Sequence, residues 1–173
     1  MMDSIPDSIG KYSIKRLLGE GAMGLVYEGI DKAIDRKVAI KTLHPHLINK
    51  KDGKEFLKRF QREAKSAARC THQNIVTVLE YGEDNGLPFI AMEYIDGLSL
   101  YDILSSNKKI SLKSTLSIVS QILKAIHAAH KLGVIHRDIK TANIIQCKES
   151  KKIKLADFGI ARFSENNSMT LTG

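Results

Sequence analysis

The chain has no tryptophan, only three prolines and only two cysteines in 173 residues. Each shortage excludes something. Cys70 and Cys147 lie far apart with no C-x-x-C pair, which argues against a disulfide framework or zinc site and favours a reduced, cytoplasmic setting. Aromatic residues make up 6% and the basic residues are spread along the chain, a poor pattern for a nucleic-acid binder. No apolar run approaches the length of a membrane helix. Asp3 and Asp7 stand where a signal peptide would need an apolar core.

What is present is globular: 43% hydrophobic and 27% charged residues, enough chain for one ordinary domain or two small lobes. The net charge of +8 suits an anionic partner. Nucleic acid is the first class to weigh, yet the clusters Lys50–Lys54 and Lys148–Lys154 flank apparent loops and read as solvated surface. ATP or an acidic protein surface fits the charge as well.

Residues 1–11 form a polar lead-in. Three strands follow, over Tyr12–Leu17, Leu25–Gly29 and Lys37–Lys41, the first two joined by a glycine turn. Residues 44–54 read as a loop and Lys54–Cys70 as a helix, with Phe56, Leu57, Phe60, Ala64, Ala67 and Ala68 at helical spacing. Asn74–Gly82 and Leu87–Tyr94 read as two more strands around a tight turn. Asp96-Gly97 marks a boundary between a small β-rich lobe (12–95) and a helical one (96–173). In the second lobe, a short helix near Leu98–Leu104 precedes a long one over Leu112–Leu132. That helix has two apolar stripes, Leu112, Leu116, Val119, Leu123, Ile126 and Ile118, Ile122, Ala125, Ala129, Leu132, and so expects burial on more than one side. The fold class is α+β, bilobal, with a five-stranded antiparallel first lobe carrying one helix and a mainly helical second lobe.

The chemistry concentrates in His136-Arg137-Asp138-Ile139-Lys140-Thr141-Ala142-Asn143 and in Asp157-Phe158-Gly159. The oxygens of Asn143 and Asp157 suit Mg²⁺, a hard cation that keeps phosphates in its shell. Asp138 and Lys140 remain for a proton and for phosphoryl charge. A polar turn between strands is the plain alternative, and two ordered motifs weigh against it.

A second cluster lies upstream. Gly19-Glu20-Gly21-Ala22-Met23-Gly24 is followed by Leu25-Val26-Tyr27, a strand rather than the helix of a dinucleotide fold. A hairpin flap over phosphates fits this context. Lys41 ends an apolar strand and needs an anion: a phosphate oxygen or a carboxylate on the next helix, with Glu63 placed ahead of Glu55. A solvated pairing of Glu63 with Arg59 is the alternative. His44-Pro45-His46 lacks further metal ligands and reads as a loop, while His127 and His130 read as packing or surface residues.

With these residues assembled, the chain resembles the eukaryotic-like serine/threonine protein kinases of bacteria, over essentially everything from Tyr12 to Gly173. The resemblance implies that Asp138 accepts or orients the substrate hydroxyl proton, that Lys140 steadies the transferred group, and that Asn143 and Asp157 hold Mg²⁺ or Mn²⁺. It implies that Lys41, paired with Glu63, holds the α and β phosphates of ATP. The flap from Leu18 through Gly19, Glu20, Gly21, Ala22, Met23, Gly24 and Leu25 covers the nucleotide. Val26, Ala39 and Ile145 sandwich the adenine, and Glu93 and Tyr94 offer backbone groups to its edge. Lys140, two after Asp138, resembles the serine/threonine class. Arg137 would receive phosphate from an activation segment containing Thr170, Thr172 and, as a weaker candidate, Ser168.

The implied partners are protein substrates with Ser or Thr, with room for self-association or autophosphorylation. No specific nucleic acid or membrane segment is implied. By the same resemblance the chain ends inside the activation segment, before an Ala-Pro-Glu element and further helices. This leaves two expectations: a phosphotransferase reduced or lost in a truncated chain, or a non-catalytic ATP-binding or interaction fragment.

Overall fold

The structure, a computed structural model, describes residues 5–106 and 109–158, the side chain of Glu63 excepted. Strands β1 (Ser8–Ile9), β2 (Tyr12–Gly21), β3 (Gly24–Asp31), β4 (Arg36–Leu43), β5 (Val78–Asp84) and β6 (Leu87–Glu93) form one antiparallel sheet in the order β1-β2-β3-β4-β6-β5. Its turns follow local chemistry. Asn85 and Gly86 both take positive φ, 50° and 79°, the pairing an Asn-Gly hairpin turn needs. The Asp31 carboxylate accepts from the Ala33 amide at 3.0 Å and closes the β3–β4 turn.

Alternation along β4 separates two cores. Val38 and Ile40 face Ile9, Tyr12, Ile14 and Phe89 on one side. Ala39 and Leu43 face the other, where helix α2 (Gly53–Ala68) lays Phe60 and Ala64 against Ile90 and Met92. Lys41 shares the parity of Ala39 and Leu43, so its ammonium is carried toward the α2 side and the interlobe cleft.

The second lobe holds α3 (Leu100–Ser105), α4 (Leu112–Lys131), a 3-10 turn (Thr141–Asn143) and a three-stranded antiparallel sheet. That sheet comprises β7 (Gly97–Ser99), β8 (Ile144–Cys147) and β9 (Ile153–Leu155). Ser99 and Ser111 cap α3 and α4 by accepting from the amides of Asp102 and Ser114. Helix α4 buries Ile118, Ala125 and Ala129 against Leu100, Val134, Ile144, Ile153, Leu155 and Phe158.

Several expectations need correcting. The sheet has six strands, because the supposed lead-in contributes β1, anchored by buried Ile9. The supposed loop after β4 contains one helical turn, α1 (Pro45–Ile48), begun by a proline suited to a first helical position. The strand expected from Asn74 starts only at Val78. Residues 74–76 instead run beside β9: Val76 N–H donates to Leu155 C=O and Leu155 N–H to Asn74 C=O, both at 2.9 Å. Of the two α4 stripes, the one through Ile118, Ala125 and Ala129 carries the core. Leu112, Leu116, Val119 and Leu123 face solvent, Leu112 at 76% exposure.

Asn74 fastens this junction. Its buried amide donates to Ile153 C=O at 2.8 Å and to Gln121 Oε1 at 3.0 Å, and Gln121 Oε1 also accepts from the Ile153 amide. Asn74→Ala strands a buried carbonyl and should cost about 2–3 kcal/mol. Urea denaturation of the two proteins at one pH checks it.

Candidate active site

The two lobes enclose a cleft of about 520 Å³. Leu18, Gly19 and Val26 of the glycine hairpin and Ala39 of β4 form one wall; Asn143, Ile145 and Asp157 form the opposite one, and Glu93 and Tyr94 close the back. Glu20, Gly21, Ala22, Met23, Gly24 and Leu25 belong to the hairpin tip and do not line this cleft. The tip is nonetheless anchored, since His44 Nε2 lies 2.8 Å from Gly21 C=O.

The three glycines of the hairpin differ in what they permit. A Cβ on Gly24 would come 1.7 Å from Thr42 O, so β3 and β4 approach too closely for any side chain there. A Cβ on Gly19 would meet nothing within 4 Å. Packing does not demand glycine at 19, and what its missing side chain provides is space beside the cleft.

Lys41 Nζ lies 2.7 Å from Asp157 Oδ1, and the lysine side chain is only 11% exposed. Among the described residues its carboxylate is Asp157. Glu63 sits on α2, but its side chain lies outside the described residues, so the expected Lys41–Glu63 pair does too. The alternative Glu63–Arg59 pair lies outside them as well; Arg59 also pairs with Glu55, one turn before it. Gly159, Ser168, Thr170 and Thr172 likewise lie outside the described residues.

Below the cleft, Asp138 is held from three sides. Lys140 Nζ is 2.8 Å from Asp138 Oδ2, and Asn143 Nδ2 donates at 2.9 Å both to that oxygen and to the Asp138 carbonyl. Burial would raise the carboxyl's pKa. The hydrogen bonds from Lys140 and Asn143 and the nearby charges outweigh it and hold the group below its ordinary value. With its N–H groups turned to Asp138, Asn143 keeps Oδ1 as its remaining polar atom, and Asp157 keeps Oδ2. Both residues line the cleft, so the chain supplies two hard oxygens, a set that suits Mg²⁺ completed by water and phosphate.

His136 is the residue whose importance the motif alone understates. Only 2% exposed, it packs against Phe158 with ring centroids 4.6 Å apart and the rings tilted by 52°. Its Nε2 lies 2.8 Å from the Ala156 carbonyl and its Nδ1 3.3 Å from the Asp138 amide. A carbonyl only accepts and an amide only donates, so the ring is neutral with its proton on Nε2. Other cleft residues missed in the sequence are Val76, Met92, Ile95, Ser99, Asp102, Ala142 and Ala156. Most adjoin motif residues, a signal that could have found them; Ser99 and Asp102 read only as a helix start.

A family model for the protein kinase domain matches residues 12–173. The chain belongs to the protein kinase family. It is 40% identical over 163 residues to the serine/threonine-protein kinase PrkC of Bacillus subtilis, covering 94% of this chain and 24% of that protein. To the serine/threonine-protein kinase PknD of Mycobacterium tuberculosis it is 42% identical over 176 residues, covering 100% of this chain and 26% of the relative. The solved kinase domain of Mycobacterium tuberculosis PknI superposes with a TM-score of 0.78 at 34% identity, covering 92% of this chain and 64% of that one. The chain thus spans about a quarter of these two curated relatives.

The geometry at His136 sets a pH dependence. Burial lowers its pKa from the usual 6.5, only partly opposed by the Ala156 carbonyl and the acidic neighbours. Between the folded and unfolded values the unfolded chain binds more protons, so stability is full above about pH 6.5 and declines as pH falls through that window. Denaturation at pH 7.5 and 5.5 should show the decline, and it should shrink in His136→Gln after correction for the variant's lower baseline.

Proposed function

We propose that this kinase domain transfers the γ-phosphoryl group of Mg-ATP to Ser or Thr hydroxyls of proteins. The observation that carries the reading is the convergence of Lys41, Asp157, Asn143, Asp138 and Lys140 around one interlobe cleft. Its other walls are apolar enough for a base: Val26, Ala39 and Ile145. The Glu93 amide already donates to Thr77 C=O at 2.9 Å, which leaves backbone groups of Tyr94 and Ile95 beside the base edge.

Asp138, ionised at neutral pH, accepts a hydrogen bond from the substrate hydroxyl and orients its lone pair. Its low proton affinity suits late proton transfer better than early abstraction. Lys140 stands on the same carboxylate and meets the charge of the group in flight. Asn143 Oδ1 and Asp157 would hold the metal, which neutralises phosphate charge when bound. Lys41, now on Asp157, sits where a nucleotide's phosphates would share its ammonium.

Transfer of radiolabelled phosphate from ATP to a generic basic protein tests this. Asp138→Asn should lower the rate at least about 100-fold. Mg-ATP at about 100 times its Kd should raise the Tm by about 5 °C or more in both proteins. A Tm response without transfer would indicate a non-catalytic nucleotide-binding domain.

The same reading extends to control. Arg62 of α2, Arg69 at the C-terminal cap of that helix and Arg137 line a concavity of about 320 Å³ with no acidic residue among its described lining residues. Three guanidinium groups on one concavity suit a phosphorylated Thr170 or Thr172. Prior autophosphorylation should then raise the rate by about tenfold or more, and Arg137→Ala should remove most of that gain, read by comparing phosphatase-treated and untreated protein.

A further inference from the structure

A second ion pair spans the lobes away from the reacting groups. Lys154 Nζ lies 2.6 Å from Glu93 Oε1, with the two side chains 17% and 19% exposed. Neither is left with a single bond. Lys154 also lies 3.3 Å from Ile75 C=O, and Glu93 Oε1 also accepts from the Thr77 amide at 2.7 Å. The pair therefore closes over residues 75–77, the stretch that joins α2 to β5 and runs beside β9.

Its ends matter for their neighbours. Glu93 finishes β6 and leads directly into Tyr94 and Ile95 at the back of the cleft. Lys154 is the middle residue of β9, and three residues later the chain presents Asp157. One side-chain contact thus connects the strap beside the base pocket to the strand that aims the metal-facing carboxylate. Because two nearly dehydrated charges each retain a backbone partner, the contact holds one geometry rather than a range.

We infer that Lys154 is a positioning residue which, through Glu93, couples the base end of the cleft to its metal end. The inference rests on the nucleotide reading proposed above. It concerns alignment between two subsites and not the contents of either, since Lys154 does not line the cleft.

Calorimetry with adenosine, with metal-free ATP and with Mg-ATP separates these effects. In Lys154→Met the gain in affinity that Mg²⁺ gives to ATP should fall about tenfold, the upper range for a mutated coupling contact. Adenosine affinity should stay within about twofold, because its subsite is intact. Lys154→Arg, which keeps the charge and can still reach Glu93, should recover most of the metal-dependent gain. Lys154→Gln, which removes the charge but can still donate to Ile75 C=O, should behave like Lys154→Met and serves if that protein folds poorly. Equal weakening of adenosine and Mg-ATP would overturn the inference in favour of a general structural role. So would an unchanged metal-dependent gain, or a failure of arginine to rescue. If the unsubstituted chain bound neither adenosine nor Mg-ATP, the nucleotide reading itself would fall, a result distinct from every variant outcome.

Discussion

An ammonium ion almost removed from water must have an anion beside it, and Lys41 meets that requirement across the cleft. Its partner, Asp157, is 116 residues away and belongs to the other lobe. Both lobes are shaped to bring this contact about. The six-stranded sheet fixes Lys41 on the cleft face through the parity of β4, and the small sheet delivers Asp157 at the end of β9. A buried pair of this kind adds little net stability over an apolar substitute, so its value lies in specifying one arrangement. Removing either partner would leave the other poorly solvated.

The parts that were legible in the sequence are those governed by local rules. Glycine spacing, the lysine at a strand end and the Asp138–Asn143 loop all depend on residue type at short separation; Gly19 and Asn143 line the cleft, while Lys41 and Asp138 meet it through Asp157 and Asn143. The helix α4 was legible too, but its environment was not. Two apolar stripes argue for burial on two sides, whereas the stripe through Ala125 and Ala129 carries the core and the other reaches it, among the described residues, only at Ile126. Periodicity reports which faces are apolar and carries no information about what covers them.

The remaining misses have one physical origin, competition from distant partners. Asn74 to Val76 have the β-branched character of a strand, yet β9 captures their backbone before β5 begins. Ser8–Ile9 is too short to announce itself and exists because β2 offers an open edge. Lys154 looked like one member of a solvated basic run. The structure instead gives it a carboxylate and a carbonyl in a nearly closed site. A single charge in a charged run can be the buried one, and only tertiary register decides which.

The site also holds strain in two places. Arg137 and Asp157 have φ values of 63° and 56°, a left-handed conformation that costs a non-glycine residue on the order of 1 kcal/mol or more. Neither position is glycine, so the surroundings must enforce it. His136 is placed to do so for both. Its Nδ1 takes the amide of Asp138, the residue after Arg137, and its Nε2 grips the carbonyl of Ala156, the residue before Asp157. One neutral imidazole therefore pins the backbone beside each strained residue and sets the separation between the Asp138 and Asp157 carboxylates. Protonation would deprive the Asp138 amide of its acceptor and release one side of that clamp. The first motif residue matters through the two backbones it joins.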